Sequence, residues 1–176
     1  MRLLTVLGCA LLAAIVVASA AASPSQRTGG VLSVERGKGS VLLEIRGAVL
    51  GRLASGLVRV TDTTPRDRFE PLVAGRRVTE EQISPTTTVY RGFGLRFRVV
   101  GGGSRILVRG SGISISAVGR GFVVLHGERK AQDDDAGVYS LEGVDCQLET
   151  ATCLPLPDVP TRVVLAPPDT GELRVR

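Results

Sequence analysis

Short apolar runs separated by glycine fill the chain from Val31 to Leu125. The runs are four to eight residues long and rich in Val, Ile and Leu, and turn signals recur about every nine residues. No segment has a convincing helical period, whereas short runs with regular turn signals are typical of all-β domains. The pattern predicts an antiparallel β-sandwich or flattened barrel of about 9–12 short strands.

The alternation of side chains within single runs supports strands. In LRFRVV, Leu95, Phe97 and Val99 alternate with Arg96 and Arg98, which places the apolar side chains on one face of a strand and the arginines on the other.

The segment GISISAVGRG could be an active-site strand or an ordinary strand of a sheet. Its alternation of apolar and small polar residues favours the ordinary strand. We expect Ile113, Ile115 and Val118 to be buried and Ser114 and Ser116 to lie on the opposite face, with a turn at 119–121.

Two parts of the chain have similar sequences, an internal repeat that we call the internal echo. Residues 41–60 match residues 106–125 when the chain is shifted by 65 positions, with Leu42 over Leu107 and Gly47 over Gly112. The echo predicts two related three-strand units with rough internal two-fold symmetry. A short β-solenoid is the alternative, although it requires more stacked copies than two.

The N-terminus has the features of a secretory signal peptide. Arg2 precedes an apolar stretch and then alanines with Ala-x-Ala spacing, so we expect cleavage after Ala20 or Ala22. A transmembrane anchor is disfavoured because the apolar run is short for a bilayer span. Cys9 follows a lipobox-like triplet, but the apolar segment before it is too short for a lipoprotein signal.

The remaining boundaries follow from composition. We expect a linker at 23–29, one all-β domain at 30–166 with a loop-rich cap at 127–160, and a tail at 167–176. The charged segment 63–86 contains three prolines, so it is expected to carry an edge strand and loops.

Cys146 and Cys153 are the two cysteines that remain after signal cleavage. In an exported protein a pair with this spacing predicts a disulfide. The alternative, half of a zinc site, lacks a second cysteine pair and has a single histidine to draw on.

Known catalytic and cofactor motifs are not found. His126 is the only histidine, no G-x-S-x-G elbow occurs, and neither a P-loop nor G-x-G-x-x-G is present, so no nucleotide or other cofactor is expected. His126 is read as an ordinary strand-end residue. The acidic run 133–135 is read as a solvated turn in preference to a calcium loop, whose ligands alternate along the chain.

Charge is the remaining functional signal. The formal net charge is +5, and hence +4 once Arg2 leaves with the signal peptide. Arginines on one sheet face would suit phosphate or carboxylate polymers; alternatively they are only solubilising charge. The candidate anion-binding residues are Arg46, Arg59, Arg96, Arg98, Arg105 and Arg109, with Arg52 as a further strand arginine.

The segment FRVVGGGSRILVRGSGISISAVGRGFVVLHGE, followed by the late cysteine pair, resembles uncharacterised exported β proteins of high-GC, actinobacterial-type bacteria. The resemblance spans about Val41 to Cys153 and implies a secreted bacterial all-β protein. It implies no activity and no catalytic residue.

These observations predict a non-enzymatic exported β domain that has a binding or structural role at the cell envelope or outside it. The expected partner is an anionic envelope polymer or another envelope protein, with no nucleotide and no membrane span after signal cleavage. The six aromatic residues are mostly needed for the core, which disfavours stacking platforms for sugars or single-stranded nucleic acid. The alternative function is a secreted hydrolase that uses carboxylates from distant strands.

Overall fold

The computed structural model describes residues 27–66, 71–129, 135–144, 146, 148–149 and 152–166. The described chain is all-β, as predicted, and its strands join into one largely antiparallel network that is not closed. The elements are β1 (Arg27–Gly29), β2 (Val31–Asp62), β3 (Leu72–Ser84), β4 (Thr87–Gly127), β5 (Val138–Ser140), β6 (Leu154–Pro155) and β7 (Thr161–Ala166).

Where 9–12 short strands were expected, the described residues contain seven strands, of which β2 and β4 are very long, at 32 and 41 residues. Most of the apolar runs predicted as separate strands are segments of these two. The chain bends between segments without leaving the ladder, for example at Gly47 and at Gly112, whose φ is 61°. A glycine after an apolar run can make either a hairpin turn or a corner, and here it often makes a corner.

The bends divide the segments into two layers, defined by their pairing. Strands that pass from one sheet to the other at bends are a known way to form the corners of a β-sandwich. The first layer contains, in order, the second half of β3, 87–93, 55–62, 104–111, 38–46, 120–127, β7 and β1; the second layer contains the first half of β3, 95–100, 48–53, 114–118, 31–34, β5 and β6. The antiparallel pairing differs from that of a parallel solenoid.

The pairing register reproduces the internal echo. Leu42 pairs with Leu107, its own counterpart 65 residues away. Val41 pairs with Leu125, and their counterparts Ile106 and Val60 also pair. The two units are therefore related by an approximate two-fold axis, although each consists of bent segments of a long strand and not of three separate strands.

One hydrophobic core lies between the layers. Alternate residues of each segment point into it, as the period of two requires. Its members from the second layer include Leu32, Val34, Val49, Leu53, Leu95, Phe97, Val99, Ile113, Ile115 and Ala117, and those from the first layer include Val41, Leu43, Ile45, Val58, Val60, Ile106, Val108, Val123, Leu125, Val163 and Leu165.

The 110–127 stretch is sheet throughout, with one error in the expected burial. Ile113 and Ile115 are buried and Ser116 is exposed on the other face, as predicted, but Val118 is 55% exposed. The alternation continues without a bulge, so Ala117 takes the buried position in place of Val118. Residues 119–121 are not a turn, because Gly119 pairs with Gly47 and the strand continues.

The peripheral elements mostly follow the sequence expectations. β3 is an edge strand between Pro71 and Pro85, and β4 is its one pairing partner among the described strands. Residues 27–29, expected in a linker, form β1, which pairs in parallel with β7. The predicted signal peptide, Cys9 and the C-terminal tail lie outside the described residues.

The cap after β4 contains the expected cystine. Cys146 and Cys153 are joined by a disulfide with an S–S distance of 2.05 Å. A disulfide is compatible with an oxidising, exported location. In the described part of the chain, no helix has the length and hydropathy needed to cross a membrane.

Candidate functional site

An open groove of about 650 Å³ lies on the outer face of the second layer. Its volume falls within the range of roughly 300–1,000 Å³ that is common for small-molecule sites. Segments 48–53, 95–100 and 114–118 form its floor, and the first residues of β3, which pair with 96–98, line it on one side. The lining residues are Glu35, Leu50, Gly51, Arg52, Leu72, Val73, Ala74, Arg96, Phe97, Arg98, Ser114, Ile115 and Ser116.

The outward side chains of the three floor segments form rows across the sheet. Residues paired across strands stand side by side, so each row is read directly from the register. The basic row is Arg96, Arg52 and Ser114; the middle row is Arg98, Leu50 and Ser116; and the apolar row is Val100, Ala48 and Val118, on the same face beside the groove. Polarity therefore falls along all three strands in the same direction.

Arg52 and Arg96 form a like-charge pair in the basic row. They are directly opposite each other on antiparallel strands, where the Cβ atoms of paired residues are about 4.5–5.5 Å apart. Arg98 is two residues from Arg96 on the same face, about 7 Å along the strand. Three guanidinium groups thus belong to one small area of the face.

The carboxylate of Glu35 lies at the end of the basic row. Its side chain is 17% exposed, and Ser114 Oγ donates a hydrogen bond of 2.8 Å to Glu35 Oε2. Arg52 Nη2 is 4.0 Å from the same oxygen. This carboxylate partly compensates Arg52, whereas none of the described carboxylates forms an ion pair with Arg96 or Arg98.

Gly51 explains how the floor beneath the groove is packed. Gly51 and Phe97 are paired across the strands, and a Cβ on Gly51 would overlap the ring of Phe97. The ring therefore covers the glycine backbone on the core side, where it is 3% exposed. This packing holds segments 48–53 and 95–100 together below Leu50 and Arg96.

A smaller hollow of about 410 Å³ adjoins the groove. It shares Glu35, Arg52 and Ser116 with the groove and extends to Gly143 and Val144 of the cap. The polar end of the groove therefore continues toward the cap, whereas the opposite side of the groove is bounded by Leu72 of β3.

The predicted arginine face is divided between the two layers. Arg96 and Arg98 are in the groove, whereas Arg46, Arg59, Arg105 and Arg109 are in first-layer segments. Arg105 Nη2 is 2.6 Å from Glu44 Oε2, and Arg109 Nη2 is 3.3 Å from Glu128 Oε1. Sequence position alone could not assign the layers, because the bends that separate them are not visible in the alternation.

The other candidate residues are isolated from the groove. His126 is half-buried and pairs with Ser40 in the first layer. Asp135 Oδ1 accepts a hydrogen bond from the Gly137 amide and Oδ2 is 4.0 Å from Arg36, while residues 133 and 134 lie outside the described part. No group of three potential metal-ligating side chains occurs among the residues that the structure describes.

Several groove residues were not singled out from the sequence. Glu35 and Leu50 belong to ordinary-looking strand runs, and Leu72 lies in the charged middle segment. Ser114 was expected on the face opposite the core, where it does lie, but Glu35 and its neighbours bury it to 9% exposure. Only the pairing of distant segments brings these residues together.

Compared with protein-family models, curated proteins and solved structures, the chain has no match in any of the three. Function is therefore inferred from the groove and its side chains, since a fold alone does not determine activity.

Proposed function

We propose that this chain is an exported, non-enzymatic β domain that binds an anionic ligand in the second-layer groove. The observation that carries the proposal is the opposed pair Arg52 and Arg96, with Arg98 beside it. Like charges directly opposite each other destabilise a sheet. A bound anion would reduce this repulsion, and guanidinium groups bind phosphate and carboxylate with paired hydrogen bonds.

The first layer makes a weaker candidate for the same role. Arg105 and Arg109 are already in ion pairs with Glu44 and Glu128, so an incoming anion must compete with a carboxylate for each of them. Arg46 and Arg120 are also directly opposite each other, but neither of them lines the groove or the adjoining hollow. The groove is also concave, as small-molecule sites usually are.

The composition of the groove supports a binding role over the hydrolase alternative. Glycoside hydrolysis ordinarily requires two carboxyl groups that flank the bond to be cleaved. Glu35 is the one carboxylate among the described residues that line the groove, and Ser114 and Arg52 already engage it.

Calorimetric titration of the mature protein with inorganic tripolyphosphate tests the proposal. We expect binding that weakens as salt is added, and a loss of about tenfold or more in the Arg96→Gln/Arg98→Gln double variant, because charge-assisted hydrogen bonds are the strong ones.

The matched control is Arg46→Gln/Arg59→Gln, which removes the same charge from the first layer. Neither arginine of this control has an ion-pair partner among the described residues. Equal losses in the two double variants would indicate attraction to net charge alone and would overturn the proposal.

A further inference from the structure

The outer face of the second layer is apolar at one end and basic at the other. Leu50, Leu72, Val100 and Val118 are 52%, 60%, 47% and 55% exposed. These are four of the nine large hydrophobic side chains that are exposed in the described part of the chain. Exposed apolar side chains that are gathered on one face beside polar groups are a common feature of ligand-binding grooves.

The apolar and basic residues are in register. Arg98 is flanked by Leu72 on one side and Leu50 on the other. One row further, Ala48 lies between Val100 and Val118, and one row in the other direction, Arg52 lies beside Arg96. The basic row and the apolar row are four positions apart along each strand, which corresponds to about 14 Å.

A purely ionic polymer would make poor use of this face. It would leave Leu50, Leu72 and the apolar row in water beside its own charges, whereas an alkyl chain would cover them. Conversely, a neutral apolar ligand would leave the opposed arginines uncompensated. The two halves of the face are complementary to a ligand that carries one acidic group and one apolar chain.

We infer that the groove binds a single-chain anionic amphipath, with its acidic head group at Arg96 and Arg98 and its alkyl chain extended across Leu50 toward the apolar row. The inference rests on the proposed anion site and adds the apolar half of the ligand. Burial of each methylene is worth about a fourfold gain in affinity when it is complete. An open groove buries part of each methylene, so at least about a twofold gain per methylene is expected.

Titration with inorganic phosphate and with butyl, hexyl and octyl phosphate, each as dispersed monomers, tests this inference. The affinity of the wild-type protein should rise with chain length. Leu50→Asn should flatten this dependence, measured within each variant as the ratio of the affinity for octyl phosphate to the affinity for inorganic phosphate. Ile83→Asn is the matched control, because Ile83 is similarly exposed but lies near the end of β3, away from the groove.

The outcomes separate the inference from the proposed function. Equal affinity for phosphate and octyl phosphate, with loss of both in Arg96→Gln/Arg98→Gln, would overturn the amphipath and retain the anion site. Binding of octanol as tight as that of octyl phosphate, unaffected by the arginine substitutions, would overturn both. A chain-length dependence that Leu50→Asn leaves intact would place the alkyl chain elsewhere and would also overturn the inference.

Discussion

Arg52 and Arg96 lie directly opposite each other on neighbouring antiparallel strands, and both are exposed. Arg52 has the carboxylate of Glu35 at 4.0 Å, whereas Arg96 has no described carboxylate as an ion-pair partner. The free protein therefore keeps an electrostatic repulsion within its sheet, at the position where we propose that an anion binds.

Removal of one charge from this pair should stabilise the free protein. Arg96→Gln is expected to raise the free energy of unfolding by about 0.2–1 kcal/mol, the usual size of a cross-strand charge effect. The gain should shrink at high salt, which screens exposed charges. Urea unfolding at low and high salt measures both effects.

Arg91→Gln provides the comparison for this effect. Arg91 is on the same strand, but its Nη1 is 2.7 Å from Glu81 Oε2, so its loss should leave stability unchanged or slightly lower. An Arg96→Gln variant that is less stable than the wild-type protein at low salt would contradict the repulsion.

The burial pattern of segment 113–118 predicts opposite sensitivities for two apolar residues. Ile115→Ala should cost about 2–5 kcal/mol through lost burial and the cavity it leaves. Val118→Ala should change stability by no more than about 0.5 kcal/mol, as substitutions at exposed positions usually do. Thermal or urea unfolding of both variants provides the comparison, and a costly Val118→Ala with a harmless Ile115→Ala would show that the strand register is inverted.

The disulfide should contribute measurably to stability. It joins residues seven positions apart, and closure of so short a loop is worth about 2.5 kcal/mol on the chain-entropy model. The Cys146→Ala/Cys153→Ala variant should lose about this amount in urea unfolding, and reduction of the wild-type protein should have a similar effect. Equal stability of the oxidised and reduced proteins would argue against this contribution.

The two tyrosines should ionise at higher pH in the folded protein than in the unfolded chain. Burial raises the pKa of Tyr90, and the nearby charge of Glu80 raises it further; burial also raises the pKa of Tyr139. The neutral side chains are therefore favoured in the folded state. Their contribution to the free energy of unfolding is present below about pH 10 and is lost as the pH rises through the folded-state pKa values.

Tyrosinate absorbance as a function of pH reports these pKa values directly, because the chain contains only these two tyrosines. Ionisation in the folded protein should have its midpoints at higher pH than in denaturant. Coincident titration curves in the two conditions would show that neither phenol is protected.

The sequence predicted local structure well where the alternation of apolar and polar side chains along one strand determines which residues are buried. Alternation assigned Leu95, Phe97 and Val99 to the core and Arg96 and Arg98 to the outside, and the structure agrees. Alternation could not decide between a turn and a corner at a glycine, because both need the same backbone freedom. The long bent strands and the division of the arginines between layers were therefore missed.

Alternation along a strand also could not show which distant residues come together in the groove. Arg52 and Arg96 are 44 residues apart in sequence, and Glu35 meets Ser114 from a distance of 79 residues. Their proximity depends on which segments pair and in which register. The internal echo was the one long-range signal in the sequence, and it did appear in the register through Leu42 and Leu107.

Ligand binding in the second-layer groove is tested most directly by mapping backbone amide shifts in isotopically labelled mature protein during titration with octyl phosphate. We expect saturable shifts in segments 48–53, 95–100 and 114–118 and in the first residues of β3, with the first layer around Arg105 and Arg109 unchanged. The same segments should stay unchanged on titration of Arg96→Gln/Arg98→Gln. Saturable shifts centred on the first layer, or none at all, would contradict the assignment of the second-layer groove as the binding site.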